Sequence, residues 1–217
     1  MSMDRRRRLI PVLLLLGMIL ATAACQRLPV VPEEPGDEQA WAERQVVLAG
    51  LDDWELQGRV AVMTADEGWS ASLQWRQEGP TMDFLIRGPA GMGATRVVGD
   101  EHWMVVENSR GDRWGSPDPG AELEAETGWR VPLDKLRWWM LGLPAPESDS
   151  ETALDGEGRL VRLRQAGWEI YYEDYEPHNG VLLPGRITVR SEDVRVRIAI
   201  REWVLHGGAP ALVSQRH

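Results

Sequence analysis

Three hydrophobic periods succeed one another along the chain. Residues 9–20 are a nearly continuous apolar run, preceded by Arg5, Arg6, Arg7 and Arg8. The run is too short and wrongly flanked for a membrane span and has the layout of a secretory signal. Across residues 38–51 the spacing becomes helical, with Ala40, Trp41, Val47, Leu48 and Leu51 on one side of the wheel, interrupted by Arg44. That predicts a moderately amphipathic helix lying across an apolar surface. From Trp54 onward the period falls to two. Leu56, Val60 and Val62 alternate with Gln57, Arg59 and Ala61, and Trp69, Ala71, Leu73 and Trp75 with Ser70, Ser72, Gln74 and Arg76. Met82, Phe84 and Ile86 then alternate with Thr81, Asp83 and Arg87. Turns at Asp66-Glu67-Gly68 and Glu78-Gly79-Pro80 separate these strands, and connections so short make them antiparallel.

Two further strands are expected at 94–98 and 102–107, joined by Gly99-Asp100-Glu101. Before them, three glycines and a proline in Gly88-Pro89-Ala90-Gly91-Met92-Gly93 forbid regular structure, and Met92 is the only sizeable apolar side chain of that loop. A polar stretch over 108–118 leads to Pro119, placed for the first turn of a short acidic helix through Glu126. The β pattern breaks at 131–142, where Leu133, Leu136 and Met140 form a helical stripe that Trp139 and Leu141 widen, with Gly142 and Pro144 to stop it. A helix apolar over most of its circumference calls for burial on several sides, which places it inside the curve of the sheet. Strands resume at 159–165, 168–172, 186–190 and 194–203. In the last, Val194, Val196, Ile198 and Ile200 face opposite to Arg195, Arg197 and Arg201. Nine or ten strands with two or three helices imply a mainly β protein on one long curved antiparallel sheet, open or closed.

Ala21, Thr22, Ala23 and Ala24 lead from the apolar run into Cys25, the only cysteine. Small residues directly before a lone cysteine resemble a lipobox, in which the cysteine is acylated and becomes the mature N-terminus. Thr22 stands where bacterial lipoproteins usually carry an aliphatic residue, and an ordinary signal peptide with an incidental cysteine is the alternative. At ~0.8 kcal/mol per buried methylene, two or three acyl chains hold a soluble domain durably at a bilayer. Gln26 follows, instead of the aspartate of the inner-membrane retention signal of enteric bacteria, which favours the outer membrane. Residues 26–37, with Pro29, Pro32, Pro35 and Gly36, read as an extended tether. The expected organisation is a signal peptide over 1–24, a lipidated tether over 25–37, a single domain over 38–205 and a tail over 206–217.

Loss of residues 1–24 leaves 193 of the 217, enough for one domain with a substantial core. It also moves the formal charge from −10 to −13, because four arginines and Asp4 leave together. An acidic chain whose only lysine is Lys135 argues against nucleic acid as a partner. With Cys25 acylated, no thiol remains for a disulfide. Eleven tryptophans beside a single phenylalanine suit cores, wet-edged cavities and membrane interfaces alike. Catalysis has little to stand on. His102, His178, His206 and His217 lack metal-ligand spacing, and Glu122, Glu124 and Glu126 read as a solvated helix face. The 88–93 loop joins two strands instead of a strand and a helix, so it is no phosphate cradle. Inward positions such as Val60, Trp75 and Phe84 line either a packed core or an apolar pocket of the kind that takes lipid-like ligands.

Several fragments recur together in order: Trp54-Glu55-Leu56-Gln57-Gly58-Arg59-Val60-Ala61-Val62, Ser70-Ala71-Ser72-Leu73-Gln74-Trp75-Arg76-Gln77, Gly88-Pro89-Ala90-Gly91, Thr127-Gly128-Trp129 with Val131-Pro132, Trp139-Met140-Leu141-Gly142-Leu143-Pro144, Gln165-Ala166-Gly167-Trp168 with Tyr171-Tyr172, and Leu183-Pro184. From about Trp41 to Trp203 the chain resembles the LolB family of outer-membrane lipoproteins. The resemblance implies an unclosed antiparallel β-barrel of about ten or eleven strands, with helices covering or plugging the concave side. It implies an apolar cavity for the acyl chains of cargo, lined here by Val60, Val62, Trp75, Phe84, Ile86, Leu136, Trp139 and Met140. The function that follows is a lipid-anchored monomer at the outer membrane of a Gram-negative bacterium, facing the periplasm. It would accept acylated lipoproteins from the periplasmic carrier LolA and insert them into outer-membrane lipid, with no enzymatic activity, nucleotide, metal or other cofactor. In the family, an exposed apolar residue, typically leucine, on the loop matching Pro89, Ala90, Gly91 and Met92 promotes insertion. Ala90 occupies that position here, and Met92 is expected to supply the apolar tip. Two readings from other classes compete: a lipidated outer-membrane scaffold with a packed barrel, and a lipid-processing enzyme.

Overall fold

The computed structural model describes residues 32, 36–89, 93–100, 102–118, 120–121, 124 and 132–206. Helix α1 (Glu38–Ala49) opens where Asp37 caps it, its carboxylate accepting from the Ala40 N–H at 2.9 Å. The helix buries Trp41, Val47 and Leu48 and leaves Val46 in water. Eleven strands follow: β1 (Asp53–Met63), β2 (Gly68–Glu78), β3 (Thr81–Arg87), β4 (Ala94–Gly99), β5 (Met104–Asn108), β6 (Arg113–Ser116), β7 (Ser150–Leu154), β8 (Leu160–Gln165), β9 (Trp168–His178), β10 (Val181–Arg190) and β11 (Arg195–Leu205). Helix α2 (Leu133–Leu141) lies between β6 and β7 in the chain. The strands form one antiparallel sheet in the order β6-β5-β4-β3-β2-β1-β11-β10-β9-β8-β7. Every pairing joins chain neighbours except β1 with β11, and the edges β6 and β7 do not meet, so the barrel is unclosed.

Alternation decides which face is buried. Along β1 and β2 the residues Trp54, Leu56, Val60, Val62, Ala71, Leu73, Trp75 and Gln77 are buried, while their neighbours in sequence face outward. Inward residues from β1 to β5 and from β7 to β11 join the buried sides of both helices in one apolar cluster. This is the arrangement expected of helices set against the concave side. Helix α2 ends where Gly142 enters the left-handed region at φ 77°, donating its N–H back to Trp139 at 3.1 Å while Leu143 donates to Trp138 at 3.0 Å. The helix is also tied to the sheet by Arg137, which donates to the Gly79 carbonyl at 3.2 Å and to Asp52 at 3.1 Å.

Several boundaries differ from the periodicity. Strand β6 lies within the stretch read as irregular, because four residues, Arg113-Trp114-Gly115-Ser116, are too few to show an alternation. Strand β7 was not expected: Ser150, Glu151 and Thr152 are exposed on a sheet edge and carry no apolar signal. β9 and β10 run on through Tyr175↔Pro184 to His178↔Val181, well past the expected ends. Arg201 is exposed, as expected from the row of Arg195 and Arg197, but the ladder is irregular at that point. The register shifts there, so that Gly58 faces Ile200, Gln57 faces Glu202 and Arg201 is the extra residue of a bulge. Gly58 permits the close approach, since a Cβ at that position would lie 2.4 Å from the Ala199 carbonyl oxygen. Most of the acidic helix expected over 119–126 lies outside the described residues.

Candidate functional site

The inward face is organised by aromatic rings. Trp75 sits directly opposite Phe84, with ring centroids 5.7 Å apart. Trp54 lies diagonally from Trp75 and from Trp203, at 5.5 and 5.3 Å, so four rings run across β11, β1, β2 and β3 without a break. Their polar edges are mostly satisfied locally. The Trp75 indole donates to Gln77 at 3.1 Å, Gln77 donates in turn to the Gly79 carbonyl at 2.9 Å, and Trp203 donates to the Pro184 carbonyl at 3.1 Å.

On the far side of the interior Gln165 does the same for α2. Its Oε1 accepts from the Trp139 indole at 2.8 Å and from the Ala145 N–H at 2.9 Å, while its amide donates to the carbonyls of Ala145 and Ser148 at 2.8 and 3.1 Å. Gln77 and Gln165 were not among the candidate residues. The signal was present, because each occupies an inward position of a strand, where an amide has to serve other buried groups.

The eight expected lining residues come together. Val60, Val62, Trp75, Phe84, Trp139 and Met140 are buried members of the apolar cluster, and Ile86 and Leu136 are half-buried against it. An open cleft of about 430 Å³ beside β7, lined among others by Asp149, Glu151, Arg164 and Glu169, shares none of these residues. Two buried donors on the inward face, Trp54 Nε1 and the Tyr172 hydroxyl, have no hydrogen-bond partner. Of the eleven tryptophans, Trp69 and Trp103 are the exposed ones among the described residues, at 39% and 53%.

The loop expected to touch membrane is pinned at its base, where Gly88 N–H donates to the Gly93 carbonyl at 3.0 Å. Pro89 belongs to that base, whereas Ala90, Gly91 and Met92, like Cys25, lie outside the described residues. Antiparallel order puts this loop at the same end of the sheet as the β1–β2 and β10–β11 turns, with the α1–β1 junction at the other end.

The outer face carries charge instead. Glu169 binds Arg164 of β8 at 3.0 Å and Arg190 of β10 at 2.7 Å, linking three strands. Burial alone would raise the Glu169 pKa, but the hydrogen bonds from Arg190, Arg164 and Tyr171 outweigh it and hold the carboxyl below its usual range. Among the described residues, no three histidine, cysteine or acidic side chains are grouped to hold a metal.

A family model described as "Outer membrane lipoprotein LolB" matches residues 52–203. The chain belongs to the LolB family. The matched span contains all eight interior residues and the whole aromatic row. Among LolB relatives, the outer-membrane lipoprotein LolB of Stutzerimonas stutzeri is 37% identical over 87% of this chain and 91% of its own length. That of Pseudomonas aeruginosa is 38% identical over 79% of this chain and 83% of its own. In architecture the chain is similar to a LolA superfamily protein from Nitrosomonas europaea, with a TM-score of 0.50 at 11% identity over 80% of this chain and 95% of that one.

Proposed function

We propose that this LolB-family chain is the outer-membrane receptor that accepts lipoproteins from the periplasmic carrier LolA and inserts them into the outer membrane. The role is transport without covalent chemistry. The observation that carries it is the family match over a span whose inward face is a continuous apolar surface crossed by four aromatic rings. Acyl chains of the cargo move from the carrier's interior into this one and then into lipid. Leaving long chains in water would cost tens of kcal/mol, at about 0.8 kcal/mol per methylene, so each step has to pass the chains directly between apolar surroundings. Val60, Val62, Trp75, Phe84 and Ile86 form the sheet side of the acyl site, and Leu136, Trp139 and Met140 its helix side. These side chains belong to one apolar cluster, so uptake requires them to separate, with α2 yielding from the sheet. Cys25 carries the anchor and residues 26–37 the tether.

The experiment is transfer in a purified system. LolA loaded with a radiolabelled lipoprotein is mixed with this protein and then with phospholipid vesicles. Passage of label to this protein and on to the vesicles is the expected result. A protein that takes no label, and no fluorescent acyl probe either, has a permanently packed barrel, and the transport role falls.

A further inference from the structure

Every buried polar group on the inward face has an account except one. The Trp54 ring packs 5.5 and 5.3 Å from the rings of Trp75 and Trp203, and an aromatic face is a weak but real partner for an indole N–H. Arg44 and Arg137 each have an unpaired Nε, but their other guanidinium nitrogens donate to the carbonyls of Leu182 and Gly79. Among the described residues the Tyr172 hydroxyl has no hydrogen-bond partner, in a residue only 2% exposed. Tyr172 stands opposite Ile187, which faces Ile198, which faces Val60, so it lies level with the middle of the proposed acyl site. Its partner across β10 is aliphatic, and beside it lie Gly142 and the Tyr175 hydroxyl, which is itself engaged as donor to the Leu160 carbonyl at 2.8 Å. Leaving a phenol unpaired there is costly.

We infer that the Tyr172 hydroxyl is the hydrogen-bond donor for the carbonyl oxygen of an acyl ester or amide held in the concave interior. An acyl chain is apolar along its length and offers one strong acceptor, the carbonyl of its linkage. A buried donor that no described residue engages matches that distribution. Burial keeps the phenol well above its ordinary pKa, so the proton is in place at any physiological pH.

This inference rests on the acyl-site reading, and the test separates the two. The mature chain carrying Cys25→Ala, which needs no detergent, is titrated with a pyrene-labelled fatty-acid methyl ester and with a pyrene-labelled alkane of equal length. The expected result is a preference for the ester of about three- to tenfold, erased by Tyr172→Phe with alkane affinity and melting temperature preserved or raised. If Tyr172→Phe fails to fold, a carbon-13 label in the ester carbonyl supplies the answer from the unsubstituted residue. Its infrared stretch should move to lower frequency on binding than in hexane. Equal affinity for ester and alkane, a preference that survives in Tyr172→Phe, or an unshifted stretch overturns the hydrogen bond while leaving the acyl site standing. Failure to bind either probe overturns both.

Discussion

At Gln165 one amide closes four hydrogen bonds inside the protein, three of them to groups of the segment that follows α2. Replacement by leucine keeps the volume and strands the Trp139 indole and the Ala145 N–H and carbonyl. Gln165→Leu should therefore lower stability by about 2–4 kcal/mol in a urea titration, more than a typical surface change. Glu169 governs the opposite face. Its folded-state pKa is depressed, so its contribution is complete above the unfolded carboxylate value and is lost as pH falls through the lower folded value. Glu169→Gln should cost about 1–3 kcal/mol at neutral pH. The difference between mutant and parent should shrink below about pH 4, read from melting temperatures across that range.

Among the elements, β1 is the hinge of the architecture, because it alone pairs strands far apart in sequence. Gly58 lets it do so past the bulge in β11. Gly58→Val places methyl groups against the Ala199 backbone and should destabilise the fold by about 1–3 kcal/mol. Arg59→Ala, one residue on and facing outward, should fall within about 0.5 kcal/mol of the parent in the same measurement. Most strands were readable wherever one face was apolar and the other polar, as in β1, β2, β3 and β11. The two edge strands were not. β7 shows mainly Ser, Glu and Thr because one side of an edge strand meets water, and β6 is too short to display a period. The lower half of β9 also hid itself. Asp174 adopts a positive φ and Pro177 interrupts the donors there, so the alternation that should mark a strand is absent although the pairing with β10 persists.

For the molecule as a whole, the proposed function puts membrane action at the sheet end that carries the 88–93 loop. There Ala90 stands where the family usually has a leucine, leaving Met92 as the loop's only large apolar side chain. Met92→Glu should leave transfer from the carrier into this protein intact while blocking passage into vesicles. Vesicle insertion at the parent rate would show that Met92 is not the inserting residue. A carboxylate on that loop has to be dehydrated to enter lipid, which is why the second step should suffer and the first should not.

Alternation of apolar and polar side chains was enough to determine the strands' inward faces, because a pleated strand with one wet side has no other way to satisfy both. The apolar run before Cys25 and the helical stripe at Leu133, Leu136 and Met140 were equally local. Only the tertiary structure decided that β1 pairs with β11, that Gln165 answers Trp139, that Glu169 sits between Arg164 and Arg190, and that Tyr172 is left without a partner. Arg164 aside, which is five residues from Glu169, the partners in these pairs stand 21 or more positions apart. A one-dimensional period records which side of a strand is buried, and it carries no information about what lies across the interior.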